Sequence, residues 1–121
     1  MSTIASISAK EIPNYGNISI KAEYVTLNKF TNKLLLKTNI QINFGEFILS
    51  GDSAIVSYDE EKLVIDGSPA SILSQKNNIN GVANQFIIYP NLSMEMLGDA
   101  RLQQKDQSIY AEQITYQISL R

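Results

Sequence analysis

The chain has 121 residues, a formal net charge of −2, 44% hydrophobic residues, and neither cysteine nor histidine. These values favour one globular domain and exclude a disordered chain, and the near-neutral charge argues against a general nucleic-acid surface. Without cysteine and histidine the chain lacks thiolate nucleophiles, the commonest transition-metal ligands and the usual proton shuttle at neutral pH. It also contains no run of about 18 apolar residues, the length that a bilayer-spanning helix needs.

Residues 1–17 are small and polar and are interrupted by Pro13 and Gly16. They predict a loose lead-in, so the domain is predicted over residues 18–121. The start of the chain lacks the basic and apolar segments of a signal peptide. The protein is therefore expected to be either cytosolic or an exported protein in its mature form.

From Ile18 onward, apolar and polar residues alternate with the two-residue period of strands that bury one face. The alternating runs begin at Ile18, Leu34, Phe47, Leu63 and Ile79, and again at residues 94 and 109. Polar or charged turns separate the runs, and no stretch has a convincing helical period. The sequence therefore predicts an all-β domain of short antiparallel strands.

A short repeated pattern predicts how these strands bend. A pattern of a small residue, a polar residue, a third residue, and then two apolar residues separated by any residue recurs at Ala22, Gly51, Ala83 and Ala111. A small residue beside a shift of phase is what a β-bulge or sharp bend requires, because a large side chain would crowd the corner. The repeat predicts a folded-over sheet with two walls and an apolar trough between them.

The first and last strands of such a stack would have unpaired edges. The strand from Ile18 to Leu27 and the strand from Ile109 to Ile118 contain little charge and no proline. Either packing or the termini cover these edges, or another sheet adds to them end to end.

The inward positions of the alternating strands form a continuous apolar face. Two walls about 10 Å apart could fill the space between them with their own side chains, which would make this face a core. Alternatively, the trough is open enough to hold acyl chains, a role that suits adaptable methionine side chains. The predicted inner face comprises Ile18, Ile20, Leu34, Leu36, Ile40, Ile42, Phe47, Leu49, Val56, Leu63, Ile65, Ile72, Phe86, Ile88, Met94, Met96, Leu102, Ile114 and Tyr116.

The acidic residues give no catalytic pattern, and no phosphate loop, nucleophile elbow or metal-binding spacing is present. We therefore predict no enzymatic activity, no cofactor and no metal site. Five carboxylates are predicted at solvated turns and one beside Gly67 at a bend: Asp59, Glu60, Glu61, Asp99 and Asp106, and Asp66.

Several motifs, in order and at suitable spacing, resemble a known family. They are Val64-Ile65-Asp66-Gly67 followed by Pro69-Ala70, Gly81-Val-Ala83-Asn-Gln85, Leu97-Gly98-Asp-Ala100-Arg-Leu102-Gln103-Gln104, and Ile114-Thr115-Tyr116. Together they resemble the OstA-like family of lipopolysaccharide-transport bridge proteins, and the resemblance covers residues 18–118.

The resemblance implies a V-shaped antiparallel β-jellyroll in the periplasm of a Gram-negative bacterium. Such proteins shield the lipid A acyl chains of lipopolysaccharide in an apolar groove, without covalent chemistry. They join end to end with an LptC-like inner-membrane protein at the N-terminal edge and an LptD-like outer-membrane protein at the C-terminal edge, and a homo-oligomer is a further possibility. Members commonly carry more strand material beyond the position of Arg121.

The resemblance also implies roles for particular residues. Ile18, Ile20 and Ile72 match inward residues that contact acyl chains. Ile88 and Tyr89 compete for one further inward position in the groove. Two alternatives remain open at this stage: an LptC-like partner domain, and a structural β-repeat module that binds only protein through its edges.

Overall fold

A computed structural model of the chain describes residues 5–7, 18–89 and 93–117. Within these ranges the chain forms one antiparallel sheet and no helix, which confirms the all-β prediction. The same residues therefore include no helical segment that is long and apolar enough to cross a membrane. The strands are β1 (Ala5–Ile7), β2 (Ile18–Ala22), β3 (Tyr24–Asn28), β4 (Lys33–Phe44), β5 (Phe47–Ser57), β6 (Lys62–Ser74), β7 (Ile79–Tyr89), β8 (Ser93–Gln104) and β9 (Gln107–Gln117).

The strands from β4 to β9 pair in sequence order. At the other end of the sheet, β2 and β3 both pair with β4, and β1 pairs with β2. In the described part of the chain the sheet is open, with β1 and β3 at one edge and β9 at the other. Within the predicted lead-in, residues 5–7 form β1, where Ala5 lies opposite Ala22 and Ile7 opposite Ile20. The other residues of the predicted lead-in lie outside the described residues.

Each long strand bends where its register shifts, as the repeat predicted. The shifts follow residues 37, 50, 66, 82 and 97 of the successive strands. In β4 the bend is made by Thr38 and Asn39, both with positive φ. Glycine adopts that conformation at no steric cost, whereas Thr38 and Asn39 adopt it with side chains. Opposite this bend, β2 ends at Ala22 and β3 begins at Tyr24, and the N–H of Glu23 between them donates to the carbonyl of Thr38.

The bends divide the sheet into two walls that face each other in a V. The first wall consists of β3 with residues 33–37, 53–57, 62–66, 85–89, 93–97 and 113–117. The second wall consists of β1 and β2 with residues 40–44, 47–51, 70–74, 79–82, 100–104 and 107–111. The inner corner is lined by small residues, because the two walls converge there: Ala22, Gly51, Ala70, Ala83 and Ala100 are buried or half-buried.

The hairpin turns follow from their local sequences. Gly45 has φ of 59° and starts the two-residue turn between Phe44 and Phe47. Glycine at this position is typical of a hairpin turn whose twist matches its strands. The longer turn before β7 ends at Asn78, which has φ of 53° and donates its N–H to the carbonyl of Gln75.

Candidate functional site: the inner apolar face

The structure brings the predicted inner-face residues together on the facing surfaces of the two walls. The hydrophobic side chains between the walls form one continuous cluster. Ile20, Leu49 and Phe86 are completely buried, and Phe47, at 9% exposed, lies near the mouth of the V. The remaining predicted residues that are buried are Ile18, Leu34, Leu36, Ile40, Ile42, Val56, Leu63, Ile65, Ile72, Ile88, Met94, Met96 and Leu102.

The competition between Ile88 and Tyr89 is resolved by the strand register. Ile88 lies opposite Leu63 and Met94 and is 1% exposed. Tyr89, the next residue in the strand, points to the other face and pairs with Ser93. The prediction of Tyr89 as an inner-groove residue is therefore wrong. An alternating pattern alone could not decide this, because the bulge after Val82 changes the phase of the strand.

The two walls contact each other directly through their side chains. A Cβ atom placed on Gly81 of the second wall would lie 2.9 Å from Cε of Met96 in the first wall. Near the mouth of the V, the rings of Phe47 and Tyr116 meet edge to face, with their centroids 6.2 Å apart. The inner face is thus packed by its own residues, from the corner to the mouth.

Burial of the inner face decreases toward both edges of the sheet. In β3, Leu27 lies opposite the inward Leu34 and is 50% exposed. In β9, Ile109 lies opposite the inward Leu102 and is 40% exposed. Ile114 and Tyr116 are half-buried and pack against the cluster. The apolar face therefore continues to both edges, where no further strand of the described residues covers it.

Leu27 and Ile109 were not among the predicted inner-face residues. Their inward orientation follows from counting alternate positions away from each bend. Ile109 is two residues before Ala111, and Leu27 is two residues after Val25. This signal was present in the sequence, but their exposure depends on which strands form the edges.

The inner face presents apolar side chains, which can pack against apolar groups. None of the carboxylates considered above is buried. Asp66 accepts a 2.8 Å hydrogen bond from Nε2 of Gln85 at the bend. Asp99, expected at a turn, lies instead at the bend of β8 with φ of 47°. Among the described residues, no group of acidic side chains could hold a metal ion.

An exposed ion pair with shifted pKa values lies outside the inner face, at the tip of the second wall. Nζ of Lys76 lies 2.9 Å from Oε2 of Glu46 and links two hairpin turns. The hydrogen bond and charge of Lys76 lower the pKa of Glu46, and those of Glu46 raise the pKa of Lys76. Both side chains are exposed, so this pair contributes little to stability and lies apart from the apolar face.

Comparisons with known proteins agree with this architecture. The sequence profile of the family described as "LptA/(LptD N-terminal domain) LPS transport protein" matches residues 19–120. A search of curated proteins gave no match. Among solved structures, the chain is similar to LptH, described as the LptA-homologous periplasmic component of the lipopolysaccharide transport device from Pseudomonas aeruginosa. The TM-score is 0.77 at 16% sequence identity, with 93% of this chain and 81% of that chain covered. At this identity the structural likeness establishes the fold.

Proposed function

Because the chain belongs to the LptA/LptD N-terminal domain family of lipopolysaccharide transport proteins, we propose that it is a non-enzymatic carrier that shields lipid A acyl chains between its two walls. The observation that carries this proposal is the inner face itself. Among the described residues its hydrophobic side chains form one cluster, against which the partly buried Val25, Tyr58, Ile114 and Tyr116 pack.

Loading requires the walls to part, since their side chains now fill the space between them. Separation at the bends would leave the strand pairing within each wall intact. Acyl chains would then pack against the apolar side chains of each wall, in the place that the opposite wall now occupies. Each methylene group removed from water contributes about 0.8 kcal/mol, so the lipid itself stabilises the opened form. The saccharide head group would remain at the mouth of the V, in water.

End-to-end assembly is the second part of the proposal. The exposed inward residues Leu27 and Ile109 lie on opposite edges of the sheet. A strand added at either edge would pair with free backbone groups and cover one of these side chains. The apolar face would then continue into the neighbouring molecule and form a longer path for acyl chains.

The location and partners follow from the same function. A bridge between membranes would lie in the periplasm. It would receive lipopolysaccharide from an LptC-like inner-membrane partner at the β1 and β3 edge and pass it to an LptD-like outer-membrane partner at β9. Further copies of the chain could extend the bridge.

Photo-crosslinking tests the lipid-binding face. Ile20 is completely buried on the inner face, and its neighbour Lys21 is exposed on the outer face of the same strand. We expect a photoreactive amino acid at Ile20, or at Ile72, to capture lipopolysaccharide. The same group at Lys21 should not capture it. Equal capture at the inner and outer positions would refute the groove.

A second candidate function is a structural module that binds protein through its edges and carries no lipid. The dense packing between Gly81 and Met96 favours this alternative, because a filled core needs no ligand. Titration with lipid A in native mass spectrometry separates the two candidates. A carrier should gain bound lipid, whereas an edge-binding module should remain lipid-free while retaining its protein partner.

A further inference from the structure

The outer face of the second wall carries a polar groove, distinct from the inner apolar face. It crosses β7, β8 and β9 and has a volume of about 240 Å³. Two rows of side chains that lie opposite one another in register form its sides. One row is Val82, Arg101 and Tyr110, and the other is Asn80, Gln103 and Ser108.

The groove continues to the tip of the wall, at the mouth of the V. A second hollow of about 370 Å³ shares Asn80 and Gln103 with the first one and reaches Asn78 and Lys105. These last two residues lie in neighbouring hairpin turns, where the N–H of Lys105 donates to the carbonyl of Asn78 at 3.2 Å. The two hollows together form one track, which we call the outer groove.

Arg101 is held in this groove by an aromatic contact rather than by an acidic partner. Its guanidinium carbon lies 5.6 Å from the centre of the Tyr110 ring. Within the described residues it forms no ion pair with a carboxylate. A cation stacked on a ring keeps its in-plane N–H groups free, and these can form paired hydrogen bonds with a carboxylate or phosphate.

The other side chains of the outer groove suit hydroxyl groups and sugar rings. The amides of Asn78, Asn80 and Gln103 can each donate and accept hydrogen bonds, as hydroxyl groups require. Tyr110 is 70% exposed and presents an apolar ring beside polar groups. Lys105 adds a second cation at the tip.

Charge along the outer groove determines which part of it an anionic ligand would occupy. At the bend, the adjoining hollow is lined by Asp99 and Glu112 as well as by Arg101. Anionic groups are repelled from that end and favoured between Arg101 and Lys105. We propose that the outer groove binds an acidic oligosaccharide, whose sugar rings carry carboxylate or phosphate groups.

This inference deepens the proposed function and rests on it. If acyl chains lie between the walls, the attached saccharide emerges at the mouth of the V. From there it can pass over the tip at Lys105 and lie along the outer groove. The protein would then hold both parts of one glycolipid, with the lipid inside the V and the sugars outside it.

The test uses the saccharide of lipopolysaccharide after complete removal of its acyl chains, so that the inner face plays no part. The probe is titrated into the full chain while backbone and side-chain amide shifts are followed by NMR. We expect shifts centred on Asn80, Arg101 and Gln103. Arg101→Gln should weaken binding by about fivefold, the effect of losing one exposed ion pair. Lys21→Gln is the matched control. It removes a cation from the same outer face, but on β2 and outside the outer groove, so binding should remain unchanged.

Two further probes identify the chemistry that is recognised. A neutral oligosaccharide of the same length should bind more weakly, and inorganic phosphate alone should not reproduce the shifts. The inference is overturned if the deacylated saccharide causes no shifts in the outer groove, if phosphate reproduces them fully, or if both variants weaken binding equally. Capture of lipid at Ile20 would still support the carrier in those cases, so the two proposals fail separately.

Discussion

At Gly51 the bend of β5 leaves no room for a side chain. A Cβ atom there would lie 2.6 Å from Cγ1 of Ile65 and 2.7 Å from the carbonyl oxygen of Asp66. We predict that Gly51→Ala lowers the free energy of unfolding by about 1–3 kcal/mol, because overpacking moves the neighbouring backbone. Asp52→Ala, at the exposed next position, should change it by less than about 0.5 kcal/mol. Urea denaturation measures both, and equal effects would contradict a steric role for Gly51.

Single residues also show how far the sequence predicts the site. The alternating pattern correctly placed Ile20, Ile72 and Met96 on the inner face, because the side chains of a strand have a fixed period of two. It did not decide between Ile88 and Tyr89, because a bulge inserts a residue and reverses which later residues face inward, and the sequence does not show where this happens. It also could not find the contact of Phe47 with Tyr116, which depends on how closely the two walls approach.

At the scale of elements, the edge strand β3 gives a test of end-to-end assembly. Leu27 points inward and Thr26 points outward, and both are exposed. In the proposed assembly only Leu27 becomes covered by a neighbour. We predict that Leu27→Glu weakens self-association by about tenfold or more, since an unpaired carboxylate would be buried. Sedimentation measurements at increasing protein concentration determine the change.

Thr26→Glu is the matched control for this prediction. It introduces the same charge one position away in the same strand, but on the outer face. It should associate like the parent chain. If both variants associate equally well, the inward face of β3 is not part of the contact between molecules.

The two hairpin turns at the tip of the second wall give a prediction about pH. Lys76 lowers the pKa of Glu46, so this carboxylate stabilises the fold above its unfolded pKa. The contribution is lost as the pH falls through the lowered folded-state value. We predict that Lys76→Gln raises the pKa of Glu46 toward its ordinary value. A carboxyl NMR titration measures it, and an unchanged midpoint would show that the pair does not persist in solution.

The elements themselves were largely predictable. The predicted starts of β2 and β7, at Ile18 and Ile79, agree with the structure, because alternation begins there. The predicted strand from Ile18 to Leu27 is divided, since β2 ends at Ala22 and β3 begins at Tyr24. The bends were predictable too, since Ala22, Gly51 and Ala83 interrupt the alternation with small residues. The strand β1 was missed because three residues are too few to establish a period, and its pairing with β2 depends on tertiary structure.

For the whole molecule, the open question at the level of sequence was whether the apolar face is a core or a groove. Alternation assigns residues to a face but contains no information about the distance between two walls. The structure shows the walls in contact from Gly81 near the corner to Phe47 near the mouth. A carrier of this structure must therefore separate its walls to admit lipid, which the sequence did not suggest.

Tying the walls together at the mouth of the V tests this requirement. The chain has no native cysteine, so the double variant Phe47→Cys and Tyr116→Cys can be linked selectively with a short thiol-reactive cross-linker. The same double variant, capped with a single-ended reagent, is the control for the loss of the two rings. In the control the walls remain free to part.

The decisive measurement is native mass spectrometry of both forms with lipid A. We expect the capped protein to bind lipid A and the tied protein to lose most of this binding, because acyl chains can no longer enter between the walls. Equal lipid binding by the tied and capped forms would contradict the account, since the lipid would then be held outside the V.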